Sequence, residues 1–278
     1  EGINTGSWEG HASLAADGKT LYFSSDRPGG IGGKDLYKAT LTAGNVWGEV
    51  ENLGEGINTP YDENMPYIHA SGDLLFFSSK GHNSMGGYDV FQSKLGEGKW
   101  QKATNIGPPV NTTNDDLYYS VTPNGERGYF SSTKKGGKGR QDIYQVTPGI
   151  LGEKPALVLI KGALKSSNRF VEAEIIVTNT TSNEPYGTFK SNSATGNYLV
   201  ALPAGSTFEI EYKVRGKSKH KEIVDLKGLS TYVDVEDDFE LSGKINPNIG
   251  ATDIIQKHME ENIAIILASK LPEPTPEP

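Results

Sequence analysis

Apolar positions in this chain come in short strand-like runs, each closed by glycine or proline. Thr20-Leu21-Tyr22-Phe23-Ser24-Ser25 is aromatic-rich and lies between Asp17-Gly18 and Pro28-Gly29-Gly30, which predicts a strand followed by a turn. Asp35-Leu36-Tyr37-Lys38-Ala39-Thr40 mixes apolar and polar positions, as a partly buried strand does. The two form a hairpin with a long glycine turn. The segments before Gly18 and around Trp47 are read as the inner and outer strands beside it. From Leu157 the pattern is again strand, turn, strand: Leu157 to Gly162, Ala173 to Thr178, Gly187 to Phe189, Gly196 to Gly205 and Thr207 to Tyr212. Alternation in the last run puts Phe208, Ile210 and Tyr212 on one face, and a β-sandwich of about seven strands is expected up to Leu241. Beyond Ser242 the period changes. Thr252 or Asp253 caps a predicted helix to about Leu271, striped by Ile254, Ile255, His258, Met259, Ile263, Ile266 and Leu267. A Pro-Glu-Pro-Thr-Pro-Glu-Pro run at 272–278 reads as a stiff extended spacer.

The hairpin recurs. Phe23-Ser24-Ser25 with Asp35-Leu36-Tyr37 returns as Phe77-Ser78-Ser79 with Asp89-Val90-Phe91, then as Phe130-Ser131-Ser132 with Asp142-Ile143-Tyr144. The aspartates are 54 and then 53 positions apart. Asn4-Thr5, Asn58-Thr59 and Asn111-Thr112 recur too, each followed by an acid at Glu9, Glu63 or Asp116. A period of this length, built of short strands and turns, is the mark of a β-propeller blade. The predicted fold is all-β: blades at about 2–55, 56–109 and 110–148 within 1–149, a sandwich at 156–241, and a helix with a Pro-rich linker at 242–278. Ser24, Ser25, Asp35, Ser78, Ser79, Asp89, Ser131, Ser132 and Asp142 are read as architecture. Short hydroxyls pack where blades converge, and an Asp opening a strand bonds the N–H groups of the neighbouring turn.

Natural propellers have about four to eight blades. Three repeats, with Glu1 to Thr5 matching the tail of a link, read as a piece of a longer chain with further blades upstream.

Composition narrows the function. With 278 residues, two domains with separate cores are expected. A net charge of −8 argues against a nucleic-acid groove, and no apolar run approaches the roughly 18 residues of a membrane-spanning helix. No Cys is present, so there is neither a disulfide nor a thiolate metal site.

The Ser-Ser, Gly-rich turn, Asp-[Ile/Leu/Val]-aromatic repeat resembles the WD40-like, TolB-type propeller repeat. Ile160-Lys161-Gly162, Gly187-Thr188-Phe189 and Gly196 through Gly205 look like a carboxypeptidase-regulatory-like domain. The order of propeller, sandwich and Pro-rich spacer is similar to OmpA-family periplasmic proteins of Bacteroidetes, a family that includes type IX secretion components. That resemblance implies a periplasmic, outer-membrane-associated protein whose partners are envelope proteins, secretion-system components among them. It also implies that peptidoglycan is bound only through an OmpA-like domain outside these residues.

Candidate chemistry is sparse. Gly29-Gly30-Ile31-Gly32-Gly33-Lys34 looks like a phosphate loop but has Pro28 where its first Gly is needed and Asp35 in place of Ser or Thr. These glycines are read as a turn needing positive φ. The five His (His11, His69, His82, His220 and His258) fall in separate elements without metal-ligand spacing, and each is read as a surface or strand residue. Asp115-Asp116 and Glu236-Asp237-Asp238 lack the calcium-loop pattern and are read as solvated loop or strand ends. Arg215 to Lys221 is a basic hairpin tip. No catalytic, cofactor or metal residue is assigned. The expectation is a non-enzymatic scaffold or binding module, and the rival is a glycan- or peptide-processing enzyme with its site in the propeller funnel.

Overall fold

A computed structural model describes residues 2–42, 44, 46–241, 253 and 255–261. The chain divides into two compact units, residues 1–155 and 156–278.

The first unit holds three antiparallel meanders. The first blade is β1 (Glu9–Leu14), β2 (Thr20–Ser25), β3 (Asp35–Thr42) and β4 (Val46–Asn52), hydrogen-bonded in that order. In the second, β5 (Glu63–Ile68), β6 (Leu74–Ser79) and β7 (Asp89–Gly96) are followed by two short strands that both pair with β7, β8 (Lys99–Trp100) and β9 (Thr104–Asn105). The third has only β10 (Asp116–Val121), β11 (Gly128–Ser132) and β12 (Asp142–Val146). Register repeats with the sequence: Ser25 faces Asp35, Ser79 faces Asp89 and Ser132 faces Asp142. Each inner strand carries a register shift at the same place, between Gly10 and Ser13, Asn64 and Tyr67, and Leu117 and Ser120.

Apolar faces of successive blades make the cores. Tyr22 and Leu36 of the first blade cluster with Ile57, Phe77 and Phe91 of the second repeat. Phe76 and Val90 of the second cluster with Val110, Tyr119 and Phe130 of the third. Burying such faces removes apolar area from water at about 25 cal/mol per Å², which is what joins one meander to the next.

The second unit is a sandwich of nine strands: β13 (Leu157–Ser166), β14 (Arg169–Phe170), β15 (Glu174–Asn179), β16 (Glu184–Lys190), β17 (Asn197–Pro203), β18 (Thr207–Val214), β19 (Lys217–Asp225), β20 (Val233–Glu236) and β21 (Phe239–Glu240). One sheet runs β14-β13-β17, with β20 and β21 parallel to β13; the other runs β16-β15-β18-β19. Two of the strands beyond the expected seven, β14 and β21, are two residues long and leave no alternation to read. Most of the basic tip is β19. Only Arg215 and Gly216 turn the chain, both at positive φ. Phe208, Ile210 and Tyr212 share the core with Ile160, Ile175 and Val200. Residues 255–261 are helical, and Ile255 is buried in that core with Met259 packed against it. The remainder of the expected helix and the Pro-rich run lie outside the described residues.

Candidate functional site

The repeated polar residues tie each blade to itself and to its neighbour. Asp35 accepts the N–H groups of Ile31 (2.5 Å) and Gly32 (3.0 Å) and the amide of Asn52 (2.8 Å). Asp89 accepts the Met85 N–H and the Asn105 amide (3.0 Å), and Asp142 accepts Lys138 N–H (2.7 Å) and Gly139 N–H (3.2 Å). All three therefore hold the glycine-rich turn. Ser25 and Ser79 donate to Glu9 (3.2 Å) and Glu63 (2.6 Å) of their own inner strands. Ser132 accepts Lys134 N–H at 3.2 Å, and Ser78 donates to the Asp116 carbonyl of the next blade at 3.2 Å. Ser24 is fully buried, and Ser131 is half-buried opposite Leu117 and Ile143.

The glycines of the turn are there chiefly for close approach. Only Gly29 has positive φ in the first copy, whereas a Cβ on Gly32 would fall 2.1 Å from the Thr59 carbonyl oxygen and 2.3 Å from that of Tyr61. The turn is a blade-to-blade contact whose Ile31, Gly32 and Gly33 N–H groups are already bonded to Asp35 and the Tyr61 carbonyl, so they are not offered to a phosphate.

Two acids read as solvated are buried. Asp116 accepts the Thr112 N–H (2.6 Å) and hydroxyl (2.9 Å), as Glu63 does from Thr59 at 2.7 and 2.6 Å. Asp237, in the sandwich, lies beneath Tyr198, whose hydroxyl donates to its carbonyl at 2.8 Å. Burial raises the carboxyl pKa of both Glu63 and Asp237; the Ser79 and Thr59 hydroxyls oppose the rise at Glu63.

Asparagines clamp the blades by imitating a strand. Asn58 accepts the Leu36 N–H at 2.8 Å and donates to the Leu36 carbonyl at 3.0 Å. Asn111 does the same to Val90, both at 2.8 Å. Leu36 and Val90 are accordingly 0% exposed, whereas Ile143, their counterpart in the third blade, is 83% exposed and has no such asparagine among the described residues. Asn4, the first of the series, is exposed.

The residues that gather at the inner strands are those the pattern did not single out. His11, Met65 and Tyr118 occupy the same position in three bulges, and all have left-handed backbone, with φ of 50°, 53° and 56°. A non-glycine residue held there costs on the order of 1–3 kcal/mol, and such strain clusters at functional sites. The bulge re-aims the side chain out of the strand's alternation. His11 donates from Nδ1 to the Asn64 side-chain oxygen at 2.6 Å, which leaves Nε2 to accept the Tyr118 hydroxyl at 3.2 Å. One residue from each blade thus joins a single chain, with 107 positions between His11 and Tyr118. Trp8 meets the His11 ring edge-on at 5.3 Å, and the Lys34 ammonium sits 4.0 Å over the indole. Trp8 and Tyr118 are both exposed. Asp62 and Lys80 pair at 2.8 Å, with the Lys80 ammonium over the Tyr88 ring; the Lys80 ammonium holds the Asp62 carboxyl below its usual range. The result is an exposed aromatic and amide surface carrying the Lys34 ammonium, suited to contacting polypeptide.

His69 and His82 serve the scaffold, and His69, expected on a surface or strand, lies buried just past the end of β5. His69 is fully buried between Ser71 (2.9 Å) and the Thr122 carbonyl (3.4 Å), and burial lowers its pKa. His82 packs on Phe77 and Phe91 and meets the Ile57 carbonyl at 2.8 Å. Among the described residues no three His, Asp or Glu side chains are placed to hold a metal ion, and no helix is long and apolar enough to cross a membrane.

No protein-family model matches the chain, and the comparison with curated proteins gives no match. Solved structures similar to this chain include TolB-type β-propeller proteins and prolyl oligopeptidases, all at low identity. The putative TolB of Agrobacterium tumefaciens is 11% identical over 72% of this chain and 59% of its own, with a TM-score of 0.34. TolB of Acinetobacter baumannii is 16% identical over 74% and 44%, with a TM-score of 0.34. Prolyl oligopeptidase B of Galerina marginata is 15% identical over 79% and 26%, with a TM-score of 0.36. The chain thus spans 59% or less of each of these three neighbours.

Proposed function

We propose that this chain is a non-enzymatic binding or scaffold module of the bacterial periplasm, associated with the outer membrane, that holds an envelope protein on its blades. Location and partner class rest on the resemblance of the repeat and sandwich motifs to OmpA-family periplasmic proteins. Type IX secretion components are the partners that resemblance favours, with peptidoglycan reached through a further domain. The observation that carries the binding role is the His11–Asn64–Tyr118 junction. There two of the three residues at the strained bulge position, His11 and Tyr118, meet through the His11 ring, and Asn64, next to the third (Met65), joins them from the second blade. The repeated carboxylates, by contrast, already accept bonds from their own turns and threonines. That use favours a scaffold over a hydrolytic centre.

The test is a pull-down from envelope extract with the immobilised full chain, run beside a His11→Ala/Tyr118→Ala double variant. The expected result is an envelope protein enriched by the wild type and lost with the variant, at unchanged folding. Enrichment of no envelope protein, or equal enrichment by both chains, would overturn the reading.

A further inference from the structure

The junction between the first and second blades and that between the second and third differ in one respect. In the first, a segment of the second blade's outer strand is laid into the groove. Trp100 pairs with Leu95 across β8 and β7, and its indole meets Tyr22 edge-on at 5.9 Å and packs with Leu53 on the shared core. The chain after it is held by backbone: Gln101 N–H donates to the Lys94 carbonyl (3.0 Å), and Ala103 N–H to the Gly56 carbonyl (2.9 Å).

Among the described residues the third blade has no outer strand, and β12 pairs only with β11. At the equivalent place there is a cleft of about 180 Å³. Its walls are Phe76, Ile106 and Pro109, which stand where the other junction has Tyr22, Leu53 and Gly56, together with Tyr119, Val146 and Pro148. Tyr119 covers part of the space, 5.0 Å from Phe76, with its hydroxyl bonded to the Gly149 carbonyl. None of the lining side chains is charged, and Gln92, Asn105, Thr147 and Tyr119 carry the polar side-chain groups. An apolar cavity of about 150 Å³ is enough to take a benzene ring. An unpaired strand edge beside an apolar pocket is the arrangement that recognises an extended peptide by strand addition, with the backbone giving affinity and the pocket giving side-chain choice.

We propose that this cleft and the free edge of β12 bind an extended segment of a partner protein, which presents a Trp or similar uncharged aromatic side chain and supplies the third blade's outer strand. The occupant's chemistry is read from Trp100, which fills the corresponding groove one blade earlier. The Thr147 carbonyl stands where Lys94 accepts Gln101 N–H, so it is the acceptor for the residue after the aromatic. This inference names the partner class for the binding role proposed above and rests on that role.

The probe is a peptide of residues 98–103, Gly-Lys-Trp-Gln-Lys-Ala, with 5-fluorotryptophan, titrated with the full chain and read by fluorine NMR. The fluorine resonance is expected to shift saturably, and the unlabelled Trp→Ala peptide to compete at least tenfold more weakly than the unlabelled Trp peptide. Leu151, exposed at the cleft rim, gives a blocking variant that should fold: Leu151→Trp is expected to abolish the shift with no change in melting temperature. An unshifted resonance at protein excess, equal competition by the two peptides, or unaltered binding by Leu151→Trp would overturn the proposal. A failed peptide titration beside a pull-down that still depends on His11 and Tyr118 would refute the cleft alone.

Discussion

Glu222 is the residue whose perturbation is easiest to quantify. In β19, His220, Glu222 and Val224 alternate inward while Lys219, Lys221 and Ile223 face out. Alternation therefore carries a carboxyl between the sheets. Tyr212 donates its hydroxyl to it at 2.8 Å, yet burial dominates, with the Asp237 charge adding to it, and the pKa is pushed up to about 7. The unfolded value is 4.5, so folding takes up a proton in the window between the two. A raised carboxyl pKa makes ionisation cost more in the folded state. Stability from this group is intact below about pH 4.5, declines as pH rises, and is fully lost above about pH 7. A rise from 4.5 to about 7 at about 1.4 kcal/mol per pH unit gives a ceiling of about 3 kcal/mol, and the partial solvent contact of Glu222 brings the expectation nearer ~2 kcal/mol. Glu222→Gln keeps an acceptor for Tyr212 and removes the titration. The variant should match wild type near pH 4.5 and exceed it by about 2 kcal/mol at pH 8. All three Trp residues lie in the blades, so the sandwich is followed by urea-dependent hydrogen exchange of residues 207–225 with mass-spectrometric readout. A difference between the two proteins that is the same at pH 5 and pH 8 would refute the reasoning.

Three further outcomes follow from the repeat, all read by urea melts on Trp fluorescence. Asp89→Ala should cost about 1–3 kcal/mol by orphaning the Met85 N–H and the Asn105 amide, with binding by the surviving folded fraction unchanged; lost binding at full stability would contradict a structural role. Asn111→Ala strips both backbone groups of buried Val90 and should cost about 2–4 kcal/mol, while Asn4→Ala stays within about 0.5 kcal/mol; equal costs would show that the clamp is not what matters. Val90→Asp should cost more than about 3 kcal/mol and Ile143→Asp less than about 0.5, because only the first buries an unpaired charge; comparable losses would mean that the Ile143 face is covered in solution.

The sequence carried the blades because their makers are identical in every copy. Asp35, Asp89 and Asp142 recur with the serines they face, and period and register agree. The sandwich core was readable in the alternation of Phe208, Ile210 and Tyr212. Glu222 was readable by the same rule, but the basic run from Arg215 to Lys221 drew attention to charge and away from period two. Burial of Asp237 was not readable, since it depends on Tyr198 arriving from 39 residues away; for Asp116 the local signal was the recurring Asn-Thr pair four to five residues before the acid, which its neighbour Asp115 obscured. The inner bulges left no compositional trace either: left-handed backbone is written in sequence mainly when glycine supplies it, and here His, Met and Tyr do. The available signal was positional, two residues after each of Glu9, Glu63 and Asp116.

That contrast gives a rule for assigning roles within a repeat. A side chain that satisfies the backbone of its own blade is under the same demand in each copy, so it stays the same whatever the protein binds. A position where the backbone is equally constrained but the side chain differs is released from that demand, and its identity is free to answer to a partner. By that rule the Ser and Asp residues are assigned to the scaffold, and His11, Met65 and Tyr118 are the candidates for the recognition role proposed above. The outer strand is the same argument made with an element in place of a residue. Trp47 and Trp100 recur in the first two links, and the third has no tryptophan, so the groove that Trp100 fills one blade earlier lies open where the repeat breaks its own pattern.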